Sequence, residues 1–65
     1  MAIVHVIETL AQSEKSWEDA VNVAIAEASK SVGNIRSVYV KEFQAKVENN
    51  KVTVYRVNCK ISYLA

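Results

Sequence analysis

The chain has 65 residues with one cysteine, one glycine, no proline and eight basic against seven acidic side chains. That inventory excludes a disulfide scaffold, a disordered linker and a nucleic-acid binder that relies on net positive charge. It defines one domain over residues 1–65, and a chain this short buries only about 60% of the surface its unfolded form exposes. With no disulfide and no zinc-spaced His/Cys cluster, self-association is the remaining source of stability.

From Ile3 to Leu10 the residues are β-branched and apolar, interrupted by His5, Glu8 and Thr9, which predicts a first strand. Ser13 and Ser16 then offer N-caps, and Ser16 with Asp19 approximates a capping box. A helix over about 16–31 follows, because Trp17, Ala20, Val21, Ala24, Ile25, Ala28 and Val32 fall on one face of a 3.6-residue period. Gly33 and Asn34, both tolerant of left-handed backbone, are expected to end it. Ile35 to Val47 and Val52 to Leu64 are rich in Val, Ile, Tyr and Phe, and Glu48-Asn49-Asn50-Lys51 between them reads as a hairpin turn.

The fold class is therefore α+β: β-α-β-β, a three-stranded antiparallel sheet packed around one amphipathic helix. Each hairpin arm reaches roughly 40 Å at ~3.3 Å per residue, whereas the helix covers roughly 25 Å at ~1.5 Å per residue. The uncovered strand calls for another copy of the chain. Pairing Val47 with Val52 sets Phe43 opposite Arg56, Lys41 opposite Asn58, Val40 opposite Cys59 and Val38 opposite Ile61. The helix is then expected on the face of Val38, Val40, Tyr55, Val57, Cys59, Ile61 and Tyr63. Ser37, Tyr39, Lys41, Phe43, Ala45 and Val47 share the reverse face with Val52, Val54, Arg56, Asn58, Lys60 and Ser62, a mixture suited to an interface.

No apolar run approaches the ~20 residues of a membrane span. The start Met1-Ala2-Ile3-Val4-His5 lacks the basic region and cleavage site of a signal peptide. A cytoplasmic protein with neither membrane nor nucleic-acid partners is expected.

Val6-Ile7-Glu8 in the first strand, Ser16-Trp17-Glu18-Asp19-Ala20 at the helix start, Val40-Lys41-Glu42 and Tyr55-Arg56-Val57 occur in the order and spacing of the dodecins, which the whole chain resembles. The resemblance implies a small-ligand binding or storage subunit that assembles as a hollow homododecamer and, in many members, stacks flavins at subunit contacts. Flavin-binding members carry a tryptophan early in the second strand, where this chain has Ser37 followed by Val38 and Tyr39. They carry a glutamine after the tyrosine of the third strand, where this chain has Arg56. The candidate cofactor site is thus Ser37, Tyr39 and Arg56, with flavin implied by the resemblance and its usual platform missing. Ser16-Trp17-Glu18, Ile35-Arg36 and Tyr55-Arg56 bring the chain closer to the branch described as calcium dodecins. A purely structural oligomer and a calcium-binding shell are the alternatives.

Catalysis has little support. His5 has no partner that can be placed, Cys59 reads as an inert buried thiol, and Trp17 as a core residue at the helix start. Calcium wants several oxygen ligands, and the acidic residues are scattered, so one subunit cannot build a metal site. Arg56 stands out, because a guanidinium on a strand face grips a phosphate, a carboxylate or the acid of a neighbouring subunit, Glu42 or Glu48.

Overall fold

Asn49 and Asn50 both take left-handed backbone, with φ of 53° and 63°, the geometry that lets a two-residue turn follow the twist of its strands. They join β2 (Ile35–Glu48) to β3 (Lys51–Leu64), and β1 (Val4–Ser13) pairs antiparallel on the other side of β3. The strand order is β1-β3-β2. This architecture comes from a computed structural model that describes residues 3–64. The first strand runs three residues beyond the expected Leu10, because β3 is long enough to pair it as far as Ser13 opposite Tyr55.

The single helix, α1 (Trp17–Ala28), is started by its cap: the Ser16 hydroxyl accepts the Asp19 N–H at 2.9 Å. The Asp19 carboxylate accepts the Ser13 hydroxyl at 2.6 Å, so the same residue also pins the end of β1. The helix is shorter than the periodicity predicts. Ser29 caps it, residues 29–31 form turns, and the Ser31 and Val32 N–H groups both donate to the Ala28 carbonyl. Asn34, with φ of 55°, takes the left-handed step, and Gly33 does not.

Ala20, Ala24 and Ala28 form the buried stripe of α1, and such small side chains let the helix lie close over Val57, Cys59 and Ile61 of the central strand. Those three are the only sizeable side chains that are fully buried among the described residues. The core is therefore minimal. Burial pushes the Cys59 thiol above its ordinary pKa, which keeps it protonated and unreactive. The radius of gyration, 13.2 Å, exceeds the ~11 Å of a compact domain of this length, because the hairpin tip runs past the ends of both β1 and α1.

The register departs from uniform alternation, and this corrects the expected faces. Val38–Ile61, Val40–Cys59 and Val47–Val52 pair as predicted, but between them Phe43 faces Val57, Ala45 faces Tyr55 and Glu42 faces Asn58. Lys41 on β2 and Thr53 on β3 are extra residues, and each bulge reverses the side that the following side chains face. Phe43, Ala45, and Val47 with its partner Val52 therefore lie on the helix side. Phe43 is not beside Arg56. It packs edge-on to Trp17 at 6.0 Å between ring centroids, and Tyr55 packs on the same indole at 4.9 Å. The indole N–H donates to the Gln44 carbonyl at 2.9 Å, tying the helix start to β2.

Phe43→Ala is accordingly expected to destabilise the fold by about 1 kcal/mol, the size of one aromatic pair contact, and to shift Trp17 emission to longer wavelength. Urea unfolding followed by fluorescence reads both. A parental spectrum with weakened assembly would put Phe43 back on the interface.

Candidate functional site

The sheet face away from the helix has no cover among the described residues. β1 places Val4, Val6 and Leu10 there, of which Leu10 is 66% exposed, and β2 adds Tyr39 at 64%. Monomeric proteins seldom leave apolar side chains grouped in this way, and such faces mark contact surfaces. Polar groups run between them. Lys41 reaches Glu8 at 3.7 Å, and the side-chain oxygen of Asn58 is buried without a hydrogen-bond partner among the described residues.

Of the three expected site residues, Ser37 and Tyr39 lie near one end of this face and Arg56 toward the other. Ser37 pairs with Ser62, the two hydroxyls sharing a hydrogen bond, and Tyr39 pairs with Lys60. Arg56 is six residues along β3 from Ser62, roughly 20 Å at ~3.3 Å per residue. One chain therefore does not bring Ser37 and Arg56 together, and a pocket using both requires two copies. Tyr39 is the one aromatic on the reverse face of β2, and Ser37 presents a hydroxyl already engaged by Ser62. Trp17 is on the opposite side, held by Tyr55, Phe43 and the Gln44 carbonyl. These residues do not fit a flavin stacked on indole.

Arg56 is half-buried. Its Nε and Nη2 donate to the Gln12 side-chain oxygen at 3.3 and 3.2 Å, across the β1–β3 pairing. Beside it, where β1 runs out, a groove of about 320 Å³ is lined by Gln44, Ala45, Lys46, Val54 and Arg56. Sequence reasoning singled out Arg56 and missed Gln12, Gln44 and Lys46. The alternation in Glu42-Phe43-Gln44-Ala45-Lys46 carries the signal for the last two, since its polar members share a side once the phase changes at Lys41.

His5 is exposed and stacks on Tyr63, ring centroids 5.4 Å apart. Among the described residues no three His, Cys, Asp or Glu side chains converge to hold a metal, and no helix is long and apolar enough to cross a membrane.

The topology defines a small α+β subunit with one sheet face left uncovered among the described residues. The family model for dodecin matches residues 3–65, and the chain belongs to the dodecin family. Among solved structures it is similar to the tt0972 protein from Thermus thermophilus, with a TM-score of 0.94 at 23% identity over 100% of this chain and 96% of that one. The dodecin of Streptomyces davaonensis gives 0.92 at 17% identity, over 98% and 94%. A Mycobacterium tuberculosis protein described as a calcium-chelating immunodominant antigen, calcium dodecin, with a novel calcium-binding site gives 0.81 at 32% identity, over 94% and 87%. The first two likenesses speak to the fold alone. No curated protein sequence matches the chain.

Proposed function

We propose that the chain is a non-catalytic cytoplasmic subunit of a closed homo-oligomer, a dodecamer, that holds a small ligand where the reverse faces of neighbouring copies meet. The observation that carries this reading is the uncovered sheet face, on which Val4, Val6, Leu10 and Tyr39 are exposed around a buried, unpartnered Asn58 oxygen. A second copy would remove the apolar groups from water, and its donors would satisfy the amide. Ser37 and Tyr39 of one copy would then meet Arg56 of another, since one chain holds Ser37 and Arg56 roughly 20 Å apart at ~3.3 Å per residue. Binding and storage fit this better than catalysis, since the titratable pair described on the face, Glu8 and Lys41, is a solvent-exposed ion pair at 3.7 Å.

A native mass spectrum of the purified protein tests the reading, with twelve chains plus retained ligand expected. A stable folded monomer at micromolar concentration would overturn it. The same instrument distinguishes the calcium reading favoured by the 32% relative, because retained calcium that a chelator removes would point to carboxylates gathered by symmetry. Ser37→Trp combined with Arg56→Gln is further expected to create riboflavin binding, read as quenching of flavin fluorescence. An assembled double variant that ignores riboflavin would show that the faces close too tightly for a ligand.

A further inference from the structure

The reverse face holds one cation that the fold orients without neutralising. Of the eight basic side chains in the sequence, Arg56 is the one that is half-buried, and the other seven are exposed. Its contact is the Gln12 amide oxygen, at 3.2 Å from Nη2 and 3.3 Å from Nε, which fixes the plane of the guanidinium and cancels none of its charge. Among the described residues no carboxylate lies within ion-pairing distance of it, whereas Lys30, Lys41 and Lys46 have Glu27, Glu8 and Glu48. A partly desolvated charge gains most from a counter-charge, and a guanidinium with its plane already set loses little freedom in gripping a planar or tetrahedral oxyanion.

The space beside it is suited to such a ligand. The groove is lined by Gln44, Ala45, Lys46 and Val54 besides Arg56 itself, with no acidic residue among them. Lys46 pairs with Glu48 at 3.3 Å, both ends more than half exposed, and an exposed pair of this type is readily exchanged for another anion. A volume of about 320 Å³ lies at the small end for ligand pockets and suits a single-ring acid better than a dinucleotide.

We propose that this groove is an anion site for a small organic phosphate or carboxylate, with the acid group on Arg56, Lys46 across the mouth and the carbon skeleton against Val54. The proposal rests on the ligand-holding reading above and names the class of ligand. The competing counter-charge is Glu42 or Glu48 of a second copy.

Calorimetric titration of the assembled protein with phenyl phosphate, benzoate and phenol at constant ionic strength tests it. Phenyl phosphate or benzoate is expected to saturate the protein at concentrations where phenol does nothing, and the tighter of the two assigns the phosphate or carboxylate source. Arg56→Gln is expected to weaken that binding about tenfold or more, the size of a lost charge-assisted hydrogen bond, and Lys46→Met about threefold. Should Arg56→Gln disturb assembly, the Lys46→Met result decides, an unchanged affinity overturning the site. Anions that bind no better than phenol, with the parent assembled, would assign the guanidinium to a partner's carboxylate and overturn it as well. A native mass spectrum of the same samples separates the two readings. An unassembled chain that still binds phenyl phosphate keeps the anion site and ends the shell, and an assembled chain that ignores both anions ends the site alone.

Discussion

Ile61→Ala is expected to remove a large part of the stability of the chain, about 2–5 kcal/mol. Ile61 sits in the middle of the central strand, opposite Ile7 on one side and Val38 on the other, and none of it reaches solvent. Only Val57 and Cys59 match it among the described side chains larger than alanine, so few neighbours can close the cavity. The helix cannot settle inward, because Ala20, Ala24 and Ala28 already lie against the sheet. A domain of this length holds roughly 3–10 kcal/mol in total at ~0.05–0.15 kcal/mol per residue. The lost methylenes would therefore leave a chain that is partly unfolded at 25 °C. Urea titration at fixed protein concentration is the measurement, and a lower midpoint with an unchanged slope is the expected form. A loss below about 1 kcal/mol would mean that the stability resides in subunit contacts and not in this core.

The elements that were legible in the sequence are those in which one physical signal dominates a whole segment. Asn49-Asn50 between two β-branched runs could only be a turn, and the odd-numbered row from Tyr55 to Tyr63 keeps a strict two-residue period, so the helix-facing side of β3 reads directly. The faces of β2 were half-legible. Its apolar row changes phase between Val40 and Phe43 across two consecutive charges, Lys41-Glu42, and an unbroken alternation carried Phe43, Ala45 and Val47 to the wrong side. A bulge costs one residue and leaves no composition of its own, which is why the pairing of Val47 with Val52 was right and the pairing of Phe43 with Arg56 was not.

The candidate site divides in the same way. Arg56 was conspicuous as a charge on a strand otherwise rich in apolar residues, but its partner Gln12 comes from β1, and nothing local fixes the register of a strand separated from β3 by the helix and β2. Ser37, Tyr39 and Arg56 looked like neighbours because the family resemblance joins them. The sheet places two of them far from the third.

Val6→Lys combined with Leu10→Lys is expected to dissolve the assembly while leaving the subunit folded. In the single chain Val6 is 59% and Leu10 66% exposed, opposite Ser62 and Asn58, so a long aliphatic stem with its ammonium in water replaces each at little cost, within about 0.5 kcal/mol for a surface position. If the reverse face is the contact between copies, the same substitutions place two ammonium groups per chain in a desolvated interface. Burying each costs several kcal/mol, and the change from the formal charge of +1 to one two units higher adds repulsion between every pair of neighbours. Far-UV circular dichroism should then keep the parental strand and helix content while sedimentation falls to the monomer, with a lower and concentration-independent melting temperature. Val23→Lys, on the exposed side of α1, supplies the contrast: it adds a lysine away from the sheet and is expected to sediment with the parent. A double variant that still sediments with the parent would remove the reverse face from the interface, and the exposed Trp17–Phe43 cluster toward the turn of the hairpin would be an apolar surface left to hold the copies together.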